Sequence, residues 1–426
     1  SLAQRAAAAV SGLFHAGLWN VLPAAAYDWP LLICGLCAAA ALGRRRLHVT
    51  VVERLPRVGK KLLATGNGRC NLSNLDMQAA HYGKAAPFVE QMYAVTPPSE
   101  VAAFFSSLGL MTAVEDDRVY PRTMAASAVL DVLRMACERT SVTLLTDTEA
   151  VALTPSRRGG WSVQLADGSG LFAPHVIAAM GGSAAPSMGT DGTGARLMQS
   201  LGHEITPLYP ALVQLKCIHP ALKGLKGIRT QARLTLLIDG TPAAEEVGEL
   251  LLTDYGVSGV CVFQLSREVA PALAQKRDVR LSINFLPEVA SIRPWLDARI
   301  KQLSPVSLLM LTTGVLPRLL AQTIIREAHI SPDMDAAMLS VDEKNALCRA
   351  LSAFPLVVTG TQGFANAQVT RGGVSLADVD PLTMASRLFD GLHMIGELLD
   401  VDGPCGGYNL HFAFASALTA AKAIGG

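Results

Sequence analysis

No charge of either sign dominates this sequence: 36 Lys and Arg stand against 35 Asp and Glu, a formal net charge of +1. Such a balance builds no long-range field that would draw in nucleic acid or an acidic membrane. Long apolar runs are missing as well. The most apolar stretch, Trp29 to Gly43, falls short of the roughly 20 residues a spanning helix needs. His15, Asn20 and Asp28 break the apolar material before it, so no transmembrane helix is expected. The eight cysteines, at 34, 37, 70, 137, 217, 261, 348 and 405, lack the dense, regular spacing of a disulfide scaffold, which points to reduced thiols in a cytoplasm. Cys34-Gly35-Leu36-Cys37 has no second pair to complete a zinc site, so no metal is expected and two buried thiols on a helix are the default there. Residues 1–28 lack the charged leader and short apolar core of a clear signal peptide and are assigned no function.

What is present suits an α/β enzyme of two or three domains, with half of its 426 residues hydrophobic. Leu31 to Ala41 reads as an apolar strand running into a helix, followed by a basic turn at Arg44–Arg46 and a second strand, Leu47–Val52, ending at Glu53. This outlines a βαβ unit. Helices are expected near Pro98–Leu108 and Met124–Arg139, a strand pair around Val142–Leu145 and Trp161–Leu165, and a further strand over His175–Met180. From Ile205 the pattern changes to alternating strands, including Leu212–Ile218, Ala232–Ile238 and Val279–Phe285, with an Asp239-Gly240 turn. Residues 288–353 turn helical, through Trp295–Leu303 and Val341–Ala350. A short apolar strand at Gly391–Ile395 and a closing helix at Tyr408–Ile424 would then complete the first domain from the far end of the chain. The expected division is 29–204 and 368–426 for that discontinuous domain, 205–287 and 354–367 for a β-rich insertion, and 288–353 for a helical subdomain.

Four segments carry chemistry. In a dinucleotide site an acidic residue at the end of the second strand receives the ribose hydroxyls, and Glu53 stands there. Gly35 holds the last glycine position of the fingerprint, but Pro30 and Leu32 replace the two earlier glycines. An ordinary βαβ unit with a strand-end carboxylate explains this segment alone equally well. The second segment, Arg57-Val58-Gly59-Lys60-Lys61 followed by Thr65-Gly66-Asn67-Gly68-Arg69-Cys70-Asn71, lets backbone N–H groups approach a phosphate or an aromatic edge, with Lys60, Lys61 and Arg69 to balance charge. It is no Walker loop, and a basic surface loop is the plain alternative. From Glu53-Arg54-Leu55-Pro56 through Gly66-Asn67-Gly68-Arg69-Cys70-Asn71-Leu72-Ser73-Asn74, this run resembles the signature of the BaiN/RdsA-type flavoproteins.

The resemblance continues in Met180-Gly181-Gly182-Ser183 and Gly189-Thr190-Asp191-Gly192-Thr193-Gly194, with Met180 and Ala185 departing from the family pattern. It is closest in Asn366–Val374 and in Gly396-Glu397-Leu398-Leu399-Asp400 through Gly403-Pro404-Cys405-Gly406-Gly407-Tyr408-Asn409-Leu410. It implies a Rossmann-type FAD-binding domain, discontinuous in sequence, with an inserted β-barrel-like domain and a helical subdomain. It further implies an FAD-dependent oxidoreductase, with hydride passing between a small organic substrate and the flavin and with NADH or NADPH as a donor. The implied cofactor residues are Gly35, Glu53, Arg54, Gly59, Lys60, Gly68, Arg69, Cys70, Asn71, Gly181, Gly182, Glu397, Asp400, Gly406, Gly407, Tyr408 and Asn409. Glu53 would meet the adenosine ribose and Glu397 the ribityl hydroxyls. Gly406-Gly407 opens the last helix, whose positive end stabilises charge on reduced flavin. Cys70, Tyr408 and His411 are acid–base candidates by position alone. Two other readings stay open: a non-catalytic descendant that lost FAD through Pro30 and Leu32, and a flavin-dependent RNA-modifying or regulatory protein, against which the neutral charge counts.

Overall fold

The computed structural model describes residues 20–23, 32–189 and 191–425. The chain divides into two compact units. One comprises the residues through Gly182, Met188–Thr206 and Gly372 onward; the other comprises Ser183–Ser187 and Pro207–Arg371.

The first unit is built on a parallel sheet of five strands: β1 (Asn20–Pro23), β2 (His48–Val52), β3 (Val142–Leu145), β4 (His175–Ala178) and β5 (Leu392–Met394), in the order β5-β4-β1-β2-β3. All four pairings are parallel, the arrangement that requires crossovers and buries both sheet faces. Accordingly β2 and β4 are mostly aliphatic, with Val49, Val51, Val52, Val176, Ile177 and Ala178 buried. Helix α1 (Leu32–Gly43) packs on helix α3 (Tyr408–Gly425), although the two lie far apart in sequence, while α2 is a single short turn at Lys60–Ala64.

The structure corrects two expectations. The apolar segment from Leu31 does not supply a strand: from Leu32 onward it is entirely helical, and the strand before it lies at Asn20–Pro23. Helix α1 is buried on every side, with Cys34, Leu36, Cys37, Ala38, Ala39 and Ala40 fully covered, so it carries no polar face from which a helical period can be read. Leu32 opens this helix; Pro30 and Thr190 lie outside the described residues, as does most of 1–28. Val142–Leu145 and Trp161–Leu165 are both strands but not partners. The former is the edge of the parallel sheet beside β2, whereas the latter is the centre of a separate antiparallel sheet between Ala150–Pro155 and Gly170–Ala173.

The second unit contains a closed barrel of six strands in the order Leu215–Ile218, Gly256–Ser258, Thr241–Leu252, Arg229–Ile238, Val279–Asn284, Phe354–Thr361. Asp239 and Gly240 turn its long hairpin with φ of 51° and 77°, the left-handed pair that matches strand twist. A helix at Val260–Ala274, absent from the expectation, packs on the barrel. The 288–353 segment forms helices at Ile292–Leu303, Leu308–Leu311, Arg318–Glu327 and Val341–Ser352. The last starts with a capping box between Ser340 and Glu343. Each unit has a core of its own.

Candidate active site

In an open parallel sheet, ligands bind outside the carboxyl ends of the strands. The first unit brings three loops to that edge, those after β2, β4 and β5. Glu53 comes directly after β2 and is fully buried, its backbone N–H donating to Leu145 at 2.7 Å. Its Oε1 accepts from the Leu55 N–H at 2.7 Å, while Oε2 is buried with no hydrogen-bond partner among the described residues. Burial pushes this carboxyl up to about 8, against the opposing pull of the Leu55 N–H and of Arg54. An oxygen in that state accepts readily from a hydroxyl brought to it. Arg54 ties the loop after β2 to the loop after β4: it donates to the Gly189 carbonyl at 3.3 Å and lies 3.8 Å from Asp191. Gly181 and Gly182 are buried in that second loop, and the Gly192 N–H donates back to Gly182 at 3.1 Å.

The segment 59–74 folds tightly against the loop after β5. Gly59 has φ of 84°, and a Cβ there would run into Leu130 Cδ1 and lie 2.6 Å from Cδ2. This fixes the phase of α2, so that Lys60 is exposed and Lys61 buried. Lys61 Nζ reaches Glu397 Oε2 at 3.6 Å. Gly66, Asn67, Gly68 and Cys70 all have left-handed φ, which coils the segment and sends Asn71 inward; Asn71 Oδ1 is buried without a partner among the described residues. Gly407, at φ 98°, lies against this coil: a Cβ on it would collide with the Ser73 carbonyl oxygen and sit 2.8 Å from Asn71 Oδ1. Asn74 Nδ2 donates to the Gly406 carbonyl at 3.1 Å. Asn409 braces the same loop, donating to Gly403 O at 2.9 Å and accepting from Gly403 N–H at 2.8 Å.

Helix α3 thus begins at a turn held from several sides, and its first N–H groups have no acceptor within the helix. That is a fixed positive end. His411, in its first turn, shares a 2.9 Å hydrogen bond between Nδ1 and Ser73 Oγ, while Nε2 is buried without a partner among the described residues. Burial drives it down to about 3, so it is neutral at ordinary pH. Cys70 is fully buried and its thiol is pushed up to about 12, chiefly by desolvation; it is no thiolate nucleophile. Tyr408 is also raised, first by burial and then by Asp76 and Asp117.

The sequence-chosen residues therefore fall into groups. Glu53, Arg54, Gly181 and Gly182 line the loops after β2 and β4. Gly59, Gly68, Cys70, Asn71, Glu397, Gly406, Gly407, Tyr408 and Asn409 surround the junction of segment 59–74 with α3. Gly35 is buried in the first turns of α1, near Glu397, whose charge adds to the burial that raises the neighbouring Cys34 thiol. Asp400 is half-buried, and its N–H donates to Val374 at 3.0 Å. Two residues turn elsewhere: Lys60 faces outward, and Arg69 is directed at Glu115, 2.9 Å away, with its guanidinium over the Tyr120 ring. Ser73, part of the Gly66–Asn74 run but not among the expected site residues, meets His411, 338 residues away, so no local pattern marks it. Cys34 and Cys37 are buried and form no disulfide, and no group of metal-binding side chains occurs among the described residues.

A parallel sheet whose carboxyl-end loops gather a buried strand-end carboxylate and a glycine-opened helix defines a Rossmann-type fold of the FAD-binding class. A solved 3-ketosteroid delta1-dehydrogenase from Sterolibacterium denitrificans shares this fold, with a TM-score of 0.52 at 12% identity over 95% of this chain and 99% of that one. The model of the HI0933-like protein Rossmann domain matches residues 33–423, and the chain belongs to that family. Among curated relatives, the 3-dehydro-bile acid delta(4,6)-reductase of Clostridium scindens is 39% identical over 91% of this chain and 96% of its own length. The ribosomal RNA dihydrouridine synthase of Escherichia coli is 28% identical over 91% of this chain and 94% of its own. By class the protein is an oxidoreductase built on a Rossmann-type fold. No described helix is long and apolar enough to cross a membrane.

Proposed function

We propose that this chain binds FAD along the carboxyl edge of the parallel sheet and reduces a ring carbon–carbon double bond conjugated to a carbonyl in a small organic substrate, with NADH or NADPH as the electron source. The observation that carries the cofactor reading is the unpartnered, buried Glu53 Oε2, which fits a ribose hydroxyl as donor. Asn71 Oδ1, in the same state beside Gly407, is a second acceptor suited to a polar edge. When bound, the flavin supplies hydride chemistry. The protein's residues then bind, orient and neutralise: Glu53 accepts from the adenosine ribose, Glu397 from the ribityl chain, and the start of α3 offers positive potential at the ring. His411, neutral because it is buried, holds Ser73 rather than supplying a proton. Cys70 and Tyr408 both retain their protons at neutral pH.

The substrate class rests on chemistry shared by the two names among the relatives, since a delta(4,6)-reductase and a dihydrouridine synthase each saturate a ring double bond. A small substrate is favoured over RNA by the 39% relative and by the net charge of +1. The test is an absorbance spectrum of purified protein, then anaerobic addition of NADH or NADPH, then of a cyclic enone or uridine-containing RNA. A yellow protein bleached by a nicotinamide and re-oxidised by the enone is expected. A colourless protein that takes up no FAD would mark the non-catalytic descendant, and re-oxidation by RNA alone would transfer the activity to nucleic acid.

A further inference from the structure

The doublet Lys60-Lys61 invites one role for both residues, yet their environments are opposite. Lys60 is exposed, whereas the Lys61 side chain is only 8% exposed and meets Glu397, itself 11% exposed, at 3.6 Å. The left-handed Gly59, jammed against Leu130, sets this phase, and the fully buried Leu62 locks it from the other side. Burying a carboxylate costs free energy that a neighbouring ammonium offsets, and the contact fixes the direction in which the carboxylate points. A buried ammonium faces the same penalty, and burial indeed lowers Lys61 while Glu397 pulls it back up. Each partner offsets part of the cost of burying the other.

We propose that Lys61 is a positioning residue for the cofactor site: its ammonium orients Glu397 as an acceptor for the polyol chain of the flavin nucleotide. This rests on the ribityl contact proposed for Glu397 and adds to it the residue that makes the contact possible. It also separates the lysines, assigning Lys61 to the carboxylate and leaving Lys60 outside the site.

The test is a double-mutant cycle on FAD affinity, measured by release of fluorescent flavin when the holoprotein is diluted, for Lys61→Met, Lys61→Arg, Glu397→Gln and Lys61→Met/Glu397→Gln. Loss of a hydrogen bond to a charged group predicts that Glu397→Gln weakens binding about 10- to 100-fold. Lys61→Met should weaken it to a similar degree, Lys61→Arg should restore most of it, and the double variant should bind no worse than Glu397→Gln, because one unit is lost only once. Removing both charges also provides a fallback should Lys61→Met alone not fold, since a neutral pair leaves no buried charge unpaired. Weak binding by Glu397→Gln with wild-type binding by Lys61→Met would overturn the role of Lys61 alone. Losses that add in the double variant, or that Lys61→Arg leaves unrescued, would overturn it too by making Lys61 a structural tie. Wild-type binding by Glu397→Gln would instead remove the ribityl contact itself.

Discussion

Replacing Glu53 by glutamine separates the charge of the strand-end carboxyl from its shape. The native protein holds this group at about 8 because it is buried, whereas an unfolded chain returns it to an ordinary carboxylic value near 4.5. Between those two values the folded state keeps a proton that the unfolded state has lost. Stability contributed by this group is therefore fully present below the lower value and is lost as pH rises through the upper one. From pH 5 to pH 8 the shift corresponds to about 3 kcal/mol. Glutamine retains the acceptor for the Leu55 N–H but turns Oε2 into a donor without an acceptor, a cost of about 1–3 kcal/mol that does not vary with pH. Urea unfolding of flavin-free protein at pH 5, 6, 7 and 8 should show wild type losing about 3 kcal/mol more than Glu53→Gln over the series. Parallel curves for the two proteins would refute the reasoning, because they would mean that Glu53 is hydrated or paired in the folded state. Hydroxyls donated to the carboxylate favour its ionised form, so FAD binding near pH 7 should also release a proton from wild type and none from the variant, as read by calorimetry in buffers of different ionisation enthalpy.

Other substitutions give sharply different outcomes. Gly407→Ala forces a Cβ into the Ser73 carbonyl at a left-handed φ. A penalty of about 2–5 kcal/mol should lower the thermal midpoint and strip flavin during gel filtration; a yellow variant with an unchanged midpoint would show that the turn can relax. Arg69→Ala removes an exposed ion pair with Glu115 and should cost about 1 kcal/mol or less with FAD affinity unchanged, whereas a large loss of affinity would return Arg69 to the pyrophosphate. Thiol titration of native protein should find Cys348 and Cys405 reactive and the six buried cysteines protected until denaturant is added; fast reaction of Cys34 or Cys37 would reopen a redox role for that pair.

The parts of the candidate site that are legible in the sequence are those with a local cause. Glu53 follows a short aliphatic run and a basic turn, and Gly406-Gly407 immediately precedes a long apolar helix; both signals lie within a few residues of the feature they mark. Asp239-Gly240 announced its hairpin for the same reason. The failures are non-local. Helix α1 is covered all round, so its residues carry no period that separates helix from strand. The partner of Trp161–Leu165 is set by sheet assembly, not by proximity to Val142–Leu145. Which lysine of the doublet points inward is decided by Leu130 pressing on Gly59, and Ser73 meets His411 only because the chain returns from the second unit.

That return sets a schedule for synthesis. Strand β5 and helix α3 are the last pieces of the first unit to leave the ribosome, and the whole of the second unit is made before them. At roughly 5–20 residues per second, Lys61 and Glu53 wait on the order of tens of seconds for Glu397 and the helix that faces them. The barrel, with its own core, has all of its strands in hand before then. A stop codon near Leu392 would therefore spare the barrel yet leave the first unit without its edge strand β5, helix α3 and the far side of the candidate site. The codons of residues 392–425 thus carry as much of the candidate site as those of residues 53–74.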